Sequence, residues 1–342
     1  MTGEGPVQVA RAHFLPASRS GRGRPALFGI NLPWLDGAYG HDLAPNELRP
    51  TWPCEFEALR AYRPLVEASD LGFEAVRIWL CENAEGIITQ DGQPARPHAQ
   101  LLEGIDVLQE CARLLGLRIY WSLLDGNSWK REGDTLTHAI LSEADACARF
   151  ADEVAAPIAR RLDPEVTFAI EVVNEPEALS PSCVTGGDGV PWAVLGRSVR
   201  RVGDAIRGAM PGALVTAGTL HVYLRDLFRG EPALDAVDLH AYHLSGGLPS
   251  REELALLTGD RRIVDRSIPL IAGECGIPDN APADARPALK NYVYNAQDRQ
   301  YDAAFLWRLE EGLVDSRSPR RDITRLGSHL RAILGQVRAA AL

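Results

Sequence analysis

An α/β fold is what this sequence predicts: a single (β/α)8 (TIM) barrel over residues 27–342, preceded by a short N-terminal extension or hairpin, residues 1–26. Three observations predict it. Short apolar strands alternate with longer amphipathic helices, the pattern of a parallel sheet covered by helices. Eight such strands can be picked out, and 342 residues is a length that one barrel fills. No stretch is rich enough in Gly, Pro or Ser to separate two domains; Gly186-Gly187-Asp188-Gly189 reads as a loop tip.

The first strand is Leu27–Leu32 and the second Ala75–Leu80, entered through Gly72, which can take the left-handed conformation that ends a helix. A helix with apolar residues at Leu101, Ile105, Leu108, Ala112 and Leu115 stops at Gly116 and feeds the third strand, Leu117–Leu124. Ser142-Glu143-Ala144-Asp145 reads as a capping box opening a helix to about Arg161. The fourth strand runs to Glu175. Trp192, Leu195, Val199, Val202 and Ile206 line one face of the next helix, with Arg197, Arg200 and Arg201 on its wet side. Strands five to eight are Ala213–Ala217, Ala236–Tyr242, Pro269–Glu274 and Ala303–Trp307, and a last helix carries Ile323, Leu326, Leu330, Ile333 and Val337.

The formal charge of −10 argues against a nucleic-acid partner, which calls for a basic field. The arginine clusters at Arg19, Arg22 and Arg24 and at Arg317, Arg320 and Arg321 read as solvated or paired surface charge. Six cysteines without a CxxC pair give no structural zinc pattern, and no metal or cofactor is expected. No run is long enough for a membrane span, and Met1–Pro6 shows no basic region leading into an apolar run. The chain as given reads as cytoplasmic; a chain trimmed of a secretion signal would look the same. No pattern here reports an oligomeric state.

Polar residues that end apolar strands carry the chemistry, because barrel active sites sit at the C-terminal strand ends. Glu175, after Asn174 and before Pro176, and Glu274, at the tip of the seventh strand, are such residues. Each has a bland reading, a polar turn for Asn174-Glu175-Pro176 and a helix cap for Glu274. Together they suit glycosidic-bond cleavage, with one carboxyl protonating the leaving oxygen and the other attacking or guiding water. Alternation puts Arg77 with Trp79 on one face, Asp238 with His240 and Tyr242, and Leu270 with Ala272 and Glu274. His243 falls opposite His240, against a His-x-x-His metal site. Glu171 points inward and needs an arginine partner inside the barrel.

On these residues the chain resembles glycoside hydrolase clan A, most of all family 5, the cellulase and mannanase group of retaining glycosidases. The resemblance spans about Leu27 to Trp307. It implies Glu175 as acid/base, Glu274 as nucleophile, Arg77 beside the nucleophile, Asn174, His240 and Tyr242 at the cleavage point, and Trp307 as a platform under the sugar. The histidine that this family often carries after the third strand is replaced here by Leu124-Asp125-Gly126-Asn127-Ser128-Trp129, so Asp125 or Trp129 takes over that sugar contact. Trp34 is read as a further contact, Trp121 and Trp192 as core. Asn31 is either substrate-binding or structural, and His221 either reaches the cleft or is buried. The implied reaction is double displacement, with carboxyls about 5–5.5 Å apart, Glu175 raised in pKa and Glu274 held low by Arg77. The substrate is a β-linked oligosaccharide or glycoside in a walled pocket. Competing readings are a catalytically inactive carbohydrate-binding barrel, a transglycosylase, and a metal-dependent hydrolase using Asp238, His240 and Glu274.

Overall fold

The computed structural model describes residues 26–35, 39–54, 56–184, 188–278, 287–309, 313–315 and 321–341. Eight parallel strands close into a barrel in the order β1-β10-β9-β8-β7-β6-β5-β2. They are β1 (Leu27–Leu32), β2 (Ala75–Trp79), β5 (Arg118–Asp125), β6 (Thr167–Asn174), β7 (Val215–Leu220), β8 (Val237–Tyr242), β9 (Leu270–Gly276) and β10 (Ala303–Leu306). The expected extension lies outside the described residues, apart from Ala26, whose N–H donates to Gln297.

β3 (Ile87–Gln90) and β4 (Gln93–Pro97) form an antiparallel hairpin outside the barrel that the sequence reading lacks. Its turn is Asp91-Gly92, both with positive φ, the two-residue chemistry such hairpins favour. The helix Ala58–Asp70, which packs on the helix Ala99–Leu115, is also unanticipated, because Pro64 interrupts its pattern. Helix Ala99–Leu115 ends as expected, with Gly116 left-handed at φ 67°.

Ser142 closes a helix, Thr135–Ser142, instead of opening one: its hydroxyl donates back to the His138 carbonyl at 2.7 Å. The next helix starts at Ala144 with no side-chain cap, and Phe150–Ala155 takes wider π-helical turns before Ala156–Arg161. Pro157 accounts for the widening, since its ring removes an N–H and collides with the carbonyl four residues back. Ile323 precedes the last helix, Arg325–Ala341, and bridges Val314.

The barrel interior is layered. Tyr120, Phe168 and Phe305 meet with ring centroids 5.4–5.9 Å apart. Above this aromatic layer the polar one begins: the Arg77 guanidinium lies 5.3 Å from the Tyr120 ring, and the Tyr120 hydroxyl donates to Asp238.

One alternation fails. Asp238 pairs with Ile271 and Leu239 with Ala272, but His240 pairs with Glu274, so the register slips by one residue there. The bulge leaves Ala272 on the opposite face from Glu274. Gly273 turns inward, where a Cβ would stand 2.5 Å from an Asp238 carboxylate oxygen. β6 slips similarly against β7 between Glu171 and Asn174, which brings both side chains inward.

Candidate active site

Arg77, fully buried on β2, is the hub. Its Nη1 donates to Glu274 Oε1 at 2.7 Å and Asn31 Oδ1 at 2.9 Å; its Nη2 donates to Glu171 Oε2 at 2.6 Å and Asn174 Oδ1 at 2.7 Å. Its planar fork suits this, presenting parallel donors at fixed angles. The Trp79 ring centroid lies 4.1 Å from the guanidinium, as expected for two residues on one strand face. The Arg77–Glu171 pair is the partner that the inward Glu171 requires. Asn31 ties the hub to the bulge, its amide donating to the Gly273, Phe305 and Leu306 carbonyls.

Glu175 leaves β6 with a φ of 47°, a left-handed conformation costly for a non-glycine residue. Its N–H holds it there by donating to the Gly218 carbonyl at 2.8 Å. The carboxylate accepts from Asn127 Nδ2 at 2.8 Å and faces His240 Nδ1 at 2.9 Å. Glu274 accepts from Tyr242 at 2.5 Å, with His240 Nδ1 at 3.7 Å from the same oxygen. One carboxylate oxygen of Glu175, one of Glu274 and the His240 nitrogen all lie within 4.8 Å of one another. Gly218 makes this possible, because a Cβ there would stand 2.4 Å from His240 Nε2 and 2.5 Å from Glu171 Oε1.

The protonation pattern reverses the sequence expectation. Burial pulls the Glu175 carboxyl up, but the hydrogen bond and charge of His240, then Asn127 and Arg77, outweigh it and bring it from 4.5 down to about 2. Burial works against an imidazolium at His240, yet Glu274 and Glu175 raise it to about 10. Glu274 is raised, because burial exceeds the pull of His240 and Arg77. Between Glu175 and His240 the proton therefore rests on the imidazole. Glu177, bonded by Thr219 and the Leu220 N–H, is pushed to about 8 by burial and by Glu175.

A cavity of about 340 Å³ opens above the pair, lined among the described residues by Trp34, Trp79, Trp307, Asp125, Asn174, Tyr242, both glutamates and others. Its size is at the low end for small-molecule sites, about 300–1,000 Å³. Asp125 accepts from Asn174, Asn127 and Tyr39, joining the wall to the floor. Arg77, His240 and Asn31, read from sequence as substrate-binding, lie beneath this lining, fully buried, where they hold the carboxylates. Trp129 is outside it: its ring packs on His138, 4.7 Å away, because Ser128–Glu132 is helical and turns it from the cleft. His221 is neither buried nor in the lining but exposed on a single 3-10 turn. Trp121 is core, its indole donating to Thr167. Tyr39, Asn127, Arg131, Leu220 and Pro278 line the pocket unanticipated; of these only Asn127, two residues past Asp125, carried a readable signal.

Two groups of acids with histidine have metal-like spacing here, Glu175-His240-Glu274 and Glu171-Asp238-His240. The Arg77 guanidinium already bonds Glu171 and Glu274 and supplies positive charge to both groups. No helix among the described residues is long and apolar enough to cross a membrane.

No protein-family model matches the chain, and no curated protein matches it in sequence. Solved structures do. A beta-1,4-mannanase from the common sea hare Aplysia kurodai is 17% identical, with 92% of this chain and 93% of that one covered at a TM-score of 0.65. A beta-1,4-D-mannanase from Cryptopygus antarcticus is 16% identical, with coverage of 94% and 95% at 0.66. An exo-beta-1,4-mannosidase from Opitutaceae bacterium strain TAV5 is 19% identical, with coverage of 97% and 62% at 0.63. At these identities the likeness is one of fold.

Proposed function

We propose that the protein is a retaining glycoside hydrolase of the family 5 kind, cleaving β-linked glycans by double displacement, with Glu274 as nucleophile and Glu175 as acid/base. One observation carries this reading. Two carboxylates from different strands bring oxygens within 4.8 Å of each other at the floor of an aromatic-walled pocket. That spacing suits direct attack on the sugar; inverting enzymes keep their carboxyls roughly 6.5–9.5 Å apart to seat a water. The similar structures include two beta-1,4-mannanases and an exo-beta-1,4-mannosidase, which makes β-1,4-mannosides the substrate class to try first.

In the first step a Glu274 oxygen bonds the anomeric carbon as the glycosidic C–O bond breaks. The leaving oxygen takes a proton from Glu175, which draws it from His240 across their 2.9 Å hydrogen bond, so the step ends with Glu175 ionised and His240 neutral. In the second step water attacks the anomeric carbon, gives its proton to the ionised Glu175, from which it returns to His240, and frees Glu274. Arg77 and Tyr242 keep donors on Glu274 throughout, stabilising it as it departs as a carboxylate. Trp34, Trp79 and Trp307 offer flat faces to the sugar.

Incubation with 2-deoxy-2-fluoro β-glycosides of mannose, glucose, galactose and xylose, followed by intact mass and peptide mapping, tests this. A stable adduct on Glu274 is expected, with the mannoside fastest. An adduct on another residue, or undiminished turnover in Glu274→Gln, refutes the assignment.

A further inference from the structure

Away from the pocket floor, a cluster of acidic side chains lies between the segments that follow β1 and β2. Its members Asp42, Glu82 and Glu85 are fully or almost fully buried, and one carboxylate oxygen of each lies within 4.8 Å of the other two. Backbone N–H groups hold one side of each: Leu35 on Asp42 Oδ2, Gly40 on Glu82 Oε1, and both Leu43 and Ala44 on Glu85 Oε1. The remaining oxygens, Asp42 Oδ1, Glu82 Oε2 and Glu85 Oε2, are buried without a hydrogen-bond partner. Three carboxylates so arranged repel one another and lack the charge partner that buried acids need.

Asn83 is a separate sign of a ligand. It is fully buried, and neither its amide oxygen nor its amide nitrogen has a partner. Its backbone is fixed on both sides, the N–H donating to Ser128 Oγ and the carbonyl accepting from Asn46, each at 2.8 Å. The amide lies against Gly40, where a Cβ would stand 3.2 Å from Asn83 Nδ2, and Gly40 is the residue whose N–H meets Glu82. The Asn83 amide and the Glu82 carboxylate thus both abut Gly40.

We propose that Asp42, Glu82, Glu85 and Asn83 hold a calcium ion. All four offer oxygen, the donor of hard cations, and none offers the nitrogen or sulfur that zinc or copper favour. Calcium accepts irregular sets of oxygen ligands at about 2.3–2.6 Å, whereas magnesium at about 2.0–2.1 Å demands a near-ideal octahedron. The ion would clamp the two segments to each other. Tyr39 and Ser128 would feel the clamp, because Ser128 Oγ takes the Asn83 N–H and meets the Tyr39 hydroxyl at 2.7 Å. Tyr39 in turn donates to Asp125 in the pocket wall.

The test is independent of the glycosidase reading, since it measures metal content and melting. Wild-type protein stripped with a chelator and titrated with Ca²⁺ by calorimetry is expected to take up one ion per chain, with Tm rising by about 3–6 °C at saturation. Glu85→Gln and Asp42→Asn are each expected to abolish that rise. Mg²⁺ is expected to give a smaller one. Absence of Ca²⁺ uptake by the folded wild type overturns the proposal, leaving the acids to share protons, as does an undiminished rise in both variants. An equal response to Mg²⁺ overturns the assignment to calcium.

Discussion

Replacing His240 by asparagine tests the proton arrangement of the site. In the wild type His240 favours the ionised form of Glu175 enough, with its neighbours, to bring it from 4.5 to about 2, which corresponds to about 3 kcal/mol. The proton needed for the leaving group is then carried by the imidazolium, which keeps it until about pH 10. The charged and titratable groups around that imidazolium are Glu175, Glu274, Glu171, Asp238, Glu177 and Arg77. The sign follows from this. Without His240 the proton must sit on Glu175 alone, where burial raises the carboxyl but no imidazolium stores the proton, so the alkaline limb of kcat/KM moves to lower pH. Glu274 loses a charge that lowers it and rises further, so the acid limb moves to higher pH. The bell narrows from both sides. At pH 8 the variant should lose about 10²–10³-fold in kcat/KM, the scale of a general acid that is no longer charged with its proton. The assay is kcat/KM from pH 4 to 10 on an aryl β-mannoside, with a thermal melt to show that the variant is folded. A folded variant whose alkaline limb overlays that of the wild type refutes the reasoning.

Gly218→Ala places a methyl 2.4 Å from His240 Nε2 and 2.5 Å from Glu171, so it should destabilise by about 1–3 kcal/mol in urea unfolding and lower kcat with it. A variant matching the wild type in both would show that the floor of the site is less tightly packed than these distances state. Trp34→Ala removes an aromatic wall at 6.5 Å from Trp307 without touching the glutamates. KM should rise by roughly tenfold or more, about 1–3 kcal/mol, while the rate of labelling at saturating fluoroglycoside stays within about threefold. A large fall in that saturated rate would place Trp34 in the chemistry itself.

What the sequence determined was what periodicity and strand-end chemistry can encode. Eight apolar runs between amphipathic helices give the barrel, because a strand buried on both faces must be apolar along its whole length. Glu175, Glu274, Arg77 and Tyr242 stood out because polar groups at such tips need a reason. The Asp91-Gly92 turn of the hairpin carried a signal of the same kind, which the sequence reading did not use. Tertiary structure decided the rest. Two register slips, at Gly273 and between Glu171 and Asn174, choose which side chains face inward, and a bulge leaves no trace in a pattern of period two. Protonation was beyond the sequence too: the resemblance implied a raised Glu175 and a lowered Glu274, whereas His240 lowers Glu175 and burial raises Glu274. The triad of Asp42, Glu82 and Glu85 is invisible for the same reason, since its members meet only when the segments after two neighbouring strands fold over each other. Electrostatics depends on separations of a few ångströms between residues far apart in the chain. Those separations are set by closure of the barrel.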